Sequence, residues 1–168
     1  QRVAMKEDDS DPFAGAIIFQ LLITLFTGLF AVSKGINLPP LNLLWYFAIS
    51  TTFYGLGTLS YFHAIKLIEA SESTILASIG SIVTVVSAYI FLGERLSSNQ
   101  LIGVGFILAS VVLIAFKKKM SLNRGTLFSI LGTTLYGLAV TNDVYILRSY
   151  DAISYTPIMS VLPGLFLM

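Results

Sequence analysis

Apolar residues run in long blocks along this chain, and short polar breaks between the blocks set its plan. Between Ala70 and Ala115 an apolar run, the break Gly93-Glu94-Arg95-Leu96-Ser97-Ser98-Asn99-Gln100 and a second apolar run follow one another. Each run approaches the ~20 helical residues that cross a hydrocarbon core of ~30 Å. In the break, Ser97 stands as an N-cap with Gln100 three residues on, the spacing of a capping box. The unit is helix, tight turn, helix, placed in a membrane. The same punctuation predicts helices over 13–32, 41–65, 73–92, 99–116 and 126–147, the third and fourth being this unit, and one that begins near Ser154 with Pro157 in its first turn. Ser10 or Asp11 caps the first of these, with Pro12 at the opening position where a missing N–H costs nothing. Pro39-Pro40 separates the first two, and Lys117-Lys118-Lys119 stops the fourth with charges suited to a helix C-terminus.

Composition supports the membrane reading. Hydrophobic residues make up 55% of the chain and charged residues 11%, far from the ~25% charged share of globular proteins. The charges cluster between the apolar runs instead of spreading over helix faces, so water is a poor solvent for this molecule. The net charge of +1 and the lack of a basic patch beyond one short loop give no sign of a nucleic-acid partner. With no cysteine and one histidine, the chain has no thiolate metal site, no cysteine nucleophile and no histidine cluster, and no cofactor or metal is implied. Gly55-Leu56-Gly57 and Gly103-Val104-Gly105 lie inside helices, not between a strand and a phosphate-binding turn. No GxSxG or HExxH occurs, so the expectation is that the protein is not an enzyme.

The string Leu92-Gly93-Glu94-Arg95-Leu96-Ser97, followed by Gln100-Leu101-Ile102-Gly103 and a small, apolar helix, resembles the EamA-type drug/metabolite transporters. Ala64-Ile65-Lys66 and Ala70-Ser71 upstream fit the same pattern. The resemblance implies an all-α, multi-pass transmembrane bundle built as two inverted five-helix repeats, here incomplete. Residues 1–118 then form a first repeat without its first helix, and residues 119–168 open a second. The spacing of Arg2 and Pro12 before one helix and of Arg148 and Pro157 before another is a faint echo of such a repeat. Gln1 and Met168 look like cut ends, and the chain reads as an internal piece of a longer membrane protein. One departure stands at Ser81, where family members often carry proline, so this helix is expected to be straighter.

Two orientation signals disagree. Alternating loops put Arg2, Lys6, Lys66, Lys117, Lys118, Lys119 and Arg124 on one side, against Lys34, Arg95 and Arg148 on the other. Positive-inside reasoning makes the richer side cytoplasmic, while the resemblance implies the reverse, and the orientation stays open.

In lipid the informative helix face is the small or polar one. On the second helix Ser50, Tyr54, Thr58 and Tyr61 share a stripe, and tyrosine hydroxyls in a bilayer need partners. On the third, Ala77, Ser81, Thr84 and Ala88 recur beside Gly80 and Ser87, a pattern that serves close helix packing, a cavity wall, or both. The fifth presents Ser129, Thr133, Tyr136, Val140 and Asp143. Asp143 is the acidic residue inside a predicted span, a functional site by default, with interfacial pairing to Arg148 as the alternative. Gln20, Thr24, Thr27 and Ala31 of the first helix read as packing, and His63 as interfacial instead of a proton relay. Lys66, Glu69 and Glu72 read as a solvated, mutually paired loop cluster.

Tyr54, Thr58, Tyr61, Ser81, Thr84, Tyr136 and Asp143 are therefore the candidate substrate-binding residues, acting through hydroxyls and rings, with Asp143 for a cationic group or a coupling proton. The partners expected are the lipid bilayer and a small organic solute such as an amino acid or other metabolite. The resemblance implies alternating-access import or export across the plasma or inner membrane. A non-transporting scaffold or assembly subunit, glued by the same small-residue stripes, is the rival.

Overall fold

The first helix begins at the cap the sequence offers. In the computed structural model, which describes residues 11–118 and 122–168, the Asp11 carboxylate accepts the Phe13 N–H at 2.9 Å and Pro12 opens α1 (Pro12–Lys34). Gly35, at φ 78°, ends α1 in a backbone conformation that favours glycine. A single 3-10 turn, Leu41–Leu43, leads into α2 (Leu44–Leu67). After the turn at Ile68 and Glu69 comes α3 (Ala70–Leu92), closed by Gly93 in the left-handed region at φ 65°. The capping box forms before α4 (Ser98–Lys118): the Ser97 N–H donates to Gln100 Oε1 at 2.7 Å, and the Gln100 N–H donates to Ser97 Oγ at 3.3 Å. Asn123 caps α5 (Arg124–Leu147) and Asp151 caps α6 (Ala152–Leu167).

Two boundaries differ from the sequence reading. Helix α3 starts at Ala70, so Glu72 lies in its first turn, where the helix dipole favours a carboxylate. Because the Asp151 side chain accepts the Ser154 N–H at 2.8 Å, α6 starts at Ala152 and Pro157 falls in its second turn. Its missing N–H leaves the Ile153 carbonyl without an intrahelical donor. Helix α3 runs unbroken through Ser81. Residues 1–10 and 119–121, which include Arg2, Lys6 and Lys119, lie outside the described residues.

Helix α5 is the central beam. Its largest contact is with α2, antiparallel, and its second with α3, parallel. Both are made close by glycine. A Cβ on Gly132 would stand 3.1 Å from the Gly57 carbonyl oxygen, and one on Gly80 would stand 2.9 Å from Thr133 Oγ1. Side chains complete the α3–α5 seam, where Ser87 Oγ and Thr141 Oγ1 lie 2.6 Å apart and Thr84 Oγ1 donates to the Gly137 carbonyl at 3.3 Å. Helix α1 packs antiparallel on α6. Gln20 Nε2 and Thr24 Oγ1 both donate to the Ser160 carbonyl, at 2.7 and 2.8 Å, and Thr27 bonds to Ser160 Oγ. An apolar cluster of Leu43, Phe47, Ile146, Tyr150, Tyr155 and Met159 ties α2, α5 and α6 together at one end. Helix α4 lies outermost, chiefly against α3.

The surface is that of a protein dissolved in lipid. Val32 is 88% exposed and Phe116 81%, part of an apolar exterior too continuous for a water-soluble monomer. Pro12–Lys34, Ser71–Leu92 and Arg124–Leu147 are long and apolar enough to cross a membrane. Helix α2 is as long, its apolar character diluted by the hydroxyl stripe. The helices alternate in direction. Arg148 Nη2 bonds to Glu94 Oε1 at 3.4 Å, joining the end of α5 to the α3–α4 turn, while Gly125 sits against Leu67 and Ile68 at the other end.

Candidate functional site

The polar stripes of α2, α3 and α5 converge. Between α3 and α5, with Tyr61 and Phe19 at its margin, lies a cleft of about 770 Å³ lined by Ala77, Ser81, Thr84, Ser129, Thr133 and Tyr136 among others. Ser81 stands midway along α3, so this cleft opens at mid-membrane depth. On the other side of Tyr136 and Phe19 lies a second cleft of about 340 Å³, formed by α1, α2, α5 and α6, with Tyr54, Thr58, Asp143 and Tyr155 in its wall. Both volumes fall in the ~300–1,000 Å³ range of small-molecule sites.

Every candidate residue faces one cleft or the other. Tyr61, Ser81 and Thr84 line the larger; Tyr54, Thr58 and Asp143 line the smaller; Tyr136 is wall to both. Thr58 and Tyr136 bond through their hydroxyls at 2.7 Å, and the Tyr54 and Tyr136 rings meet edge to face at 5.6 Å. The α3 stripe divides its labour. Gly80, Thr84 and Ser87 hold α5, while Ala77 and Ser81 are exposed at the rim of the larger cleft.

Asp143, half-buried, sits in a hydroxyl cradle. Ser50 Oγ donates to Asp143 Oδ1 at 2.6 Å, and the Tyr54 hydroxyl donates to Oδ2. Asn142 Nδ2 donates to Ser50 Oγ at 2.8 Å and to the Tyr46 carbonyl at 2.7 Å, which fixes Ser50 with its proton toward Asp143. The Tyr155 hydroxyl is buried beside the same carboxylate and completes no hydrogen bond of normal geometry. Arg148 pairs with Glu94 and leaves Asp143 without it. His63 takes no part in either cleft: its Nδ1 lies 2.9 Å from the Leu59 carbonyl and its ring 5.0 Å from Phe128.

Tyr155, Asn142, Phe19 and Gln20 are cleft or cradle residues that the sequence did not single out as such. Tyr155 lies near the start of α6, where too little of a periodic pattern precedes it. Gln20 and Thr27 pack α1 on α6, as read, and also line the smaller cleft.

An all-helical chain with an apolar exterior and polar clefts between its helices has the form of a membrane transport protein, and residues 3–116 match the EamA-like transporter family. The chain belongs to that family. It is an integral membrane protein of the drug/metabolite transporter type, and EamA-like proteins are transporters as a class, not enzymes. Comparison with curated proteins and with solved structures gives no match. Among the described residues no group of His, Cys, Asp and Glu side chains has the arrangement of a metal site.

Proposed function

We propose that this EamA-like protein carries a small organic solute across the plasma or inner membrane by alternating access, and that the two clefts around Tyr136 form the path. The observation that carries this reading is the convergence of Tyr54, Thr58, Tyr61, Ser81, Thr84, Tyr136 and Asp143 on hollows sized for a small molecule. Hydroxyls and ring faces bind an organic solute by many weak contacts, which permits release as well as capture. Helix α1 meets α6 antiparallel, which fits the division into a first repeat over 1–118 and a second from 119 onward, since these two helices would hold equivalent places in inverted repeats.

The chain lacks cysteine, so the test is a single Ser81→Cys substitution in the full chain, with any cysteine elsewhere replaced. A membrane-impermeant thiol reagent is expected to label it, and a panel of amino acids and related metabolites to include one that slows labelling. Ser87→Cys, at a position 4% exposed against Thr141, is the unlabelled control. The rival reading, a scaffold held by the glycine contacts, predicts no labelling of Ser81→Cys from either side in a folded protein.

A further inference from the structure

We infer that the smaller cleft is an ammonium site: Asp143 and the Tyr155 hydroxyl bind the protonated nitrogen of an organic amine, whose body lies against Phe19, Tyr54 and Tyr136. The inference rests on the solute-carrying reading above and names the class of solute.

The first argument is charge. Ser50 and Tyr54 each give a hydroxyl proton to one oxygen of Asp143, and the Asn142 amide donates to the Ser50 oxygen from the other side. Two donors thus face the two carboxylate oxygens, and neither donor carries a positive charge. Among the described residues no Lys, Arg or His pairs with Asp143, and the cation nearest along its helix, Arg148, is taken by Glu94. A carboxylate inside a span calls for a positive partner, and none of the described residues supplies it.

Geometry supplies the rest of the recognition. Tyr155 is 7% exposed, its hydroxyl has no partner of normal geometry, and it borders the same hollow as Asp143. An ammonium has several N–H donors, and the carboxylate and this phenol oxygen offer acceptors side by side. Phe19, Tyr54, Tyr136 and Tyr155 line the hollow with aromatic rings, whose faces attract a desolvated cation. A site that only shuttled a proton would need none of these rings. The volume of about 340 Å³ suits a compact amine.

The test uses the full chain in lipid nanodiscs. The probes are phenethylamine and tetramethylammonium, with 2-phenylethanol and phenylacetate as the neutral and anionic counterparts of the first. Equilibrium binding is expected for the two cations, at least tenfold weaker binding for the alcohol, and none for the acid. Asp143→Asn is expected to lose at least tenfold in phenethylamine affinity, Tyr155→Phe several-fold, and Asp143→Glu to fall between wild type and Asp143→Asn. Each variant is qualified as folded by retained labelling of Ser81→Cys in the larger cleft. Equal binding of amine, alcohol and acid, unchanged affinity in Asp143→Asn, or no binding of either cation to the folded wild type overturns the ammonium site. So does an Asp143→Asn variant that keeps amine selectivity and loses only a pH dependence of flux. All four results leave the Ser81 readout standing, so they are distinct from a failure of the solute-carrying reading.

Discussion

Gly137 of α5 lies so close to Gly80 of α3 that a Cβ built on it would stand 2.7 Å from the Gly80 carbonyl oxygen. The obstacle is backbone, which cannot swing aside as a side-chain end can. Gly137→Ala is therefore expected to push the helices apart and to lower stability by ~1–3 kcal/mol, the usual cost of overpacking. Gly103→Ala is the control: nothing lies within 4 Å of a Cβ there, and alanine in place of a helical glycine gains up to ~1 kcal/mol of helix propensity. Thermal unfolding in detergent checks both. A Gly137→Ala midpoint equal to wild type would remove the close α3–α5 crossing from the account.

The Ser160 carbonyl accepts from both Gln20 and Thr24. Gln20→Ala leaves Thr24 donating, so a loss of ~1 kcal/mol or less is expected, in keeping with the ~0.6 kcal/mol average for hydrogen bonds between membrane helices. The double change Gln20→Ala/Thr24→Val removes both donors and is expected to cost more than Gln20→Ala alone. Unfolding midpoints of the single and double variants, compared in one detergent, decide the matter.

Asp151 caps α6 outside the membrane, and the Ser154 N–H holds its carboxyl below the usual aspartate range. A carboxylate with a lowered folded pKa stabilises the protein above the unfolded value of ~3.9 and loses that contribution as pH falls through the folded value. Asp151→Asn retains a side-chain acceptor for the cap but no charge. The gap in melting temperature between wild type and Asp151→Asn is expected to be constant from neutral pH to about pH 5 and to close below about pH 4. A gap that persisted at low pH would mean that charge at the cap is not what distinguishes the two.

Arg148 and Glu94 pair at 3.4 Å with about half of each side chain in solvent, 51% and 47% exposed. Glu94→Gln is expected to change stability by less than ~1 kcal/mol, and the small effect to shrink as salt is raised. A larger, salt-independent loss in a chemical or thermal melt would show that the turn carries a buried contact.

Much of this architecture was legible in the sequence because lipid simplifies the code. A span has to be helical, so block length and polar punctuation located the six α-helices of the described residues, and Asp11, Ser97 with Gln100, and Gly93 marked ends that the structure keeps. The stripe Ser50, Tyr54, Thr58, Tyr61 was readable because hydroxyls on a membrane helix stand out against leucine and phenylalanine. What periodicity could not say is which stripes face one another. That α5 meets α3 in parallel and α2 in antiparallel depends on tertiary packing, and so does the meeting of Asp143 with Ser50 and Tyr54 instead of Arg148. Tyr155 reaches Asp143 from a helix whose pattern had barely begun. Its part in the smaller cleft is set by the fold and leaves no local trace.

Tyr136 borders both hollows, and with Phe19 it is the partition between them. One ring is thus a common wall of two chambers, held in place by the Thr58 hydroxyl at 2.7 Å and the Tyr54 ring at 5.6 Å. A substitution at any of these three positions therefore alters both chambers together.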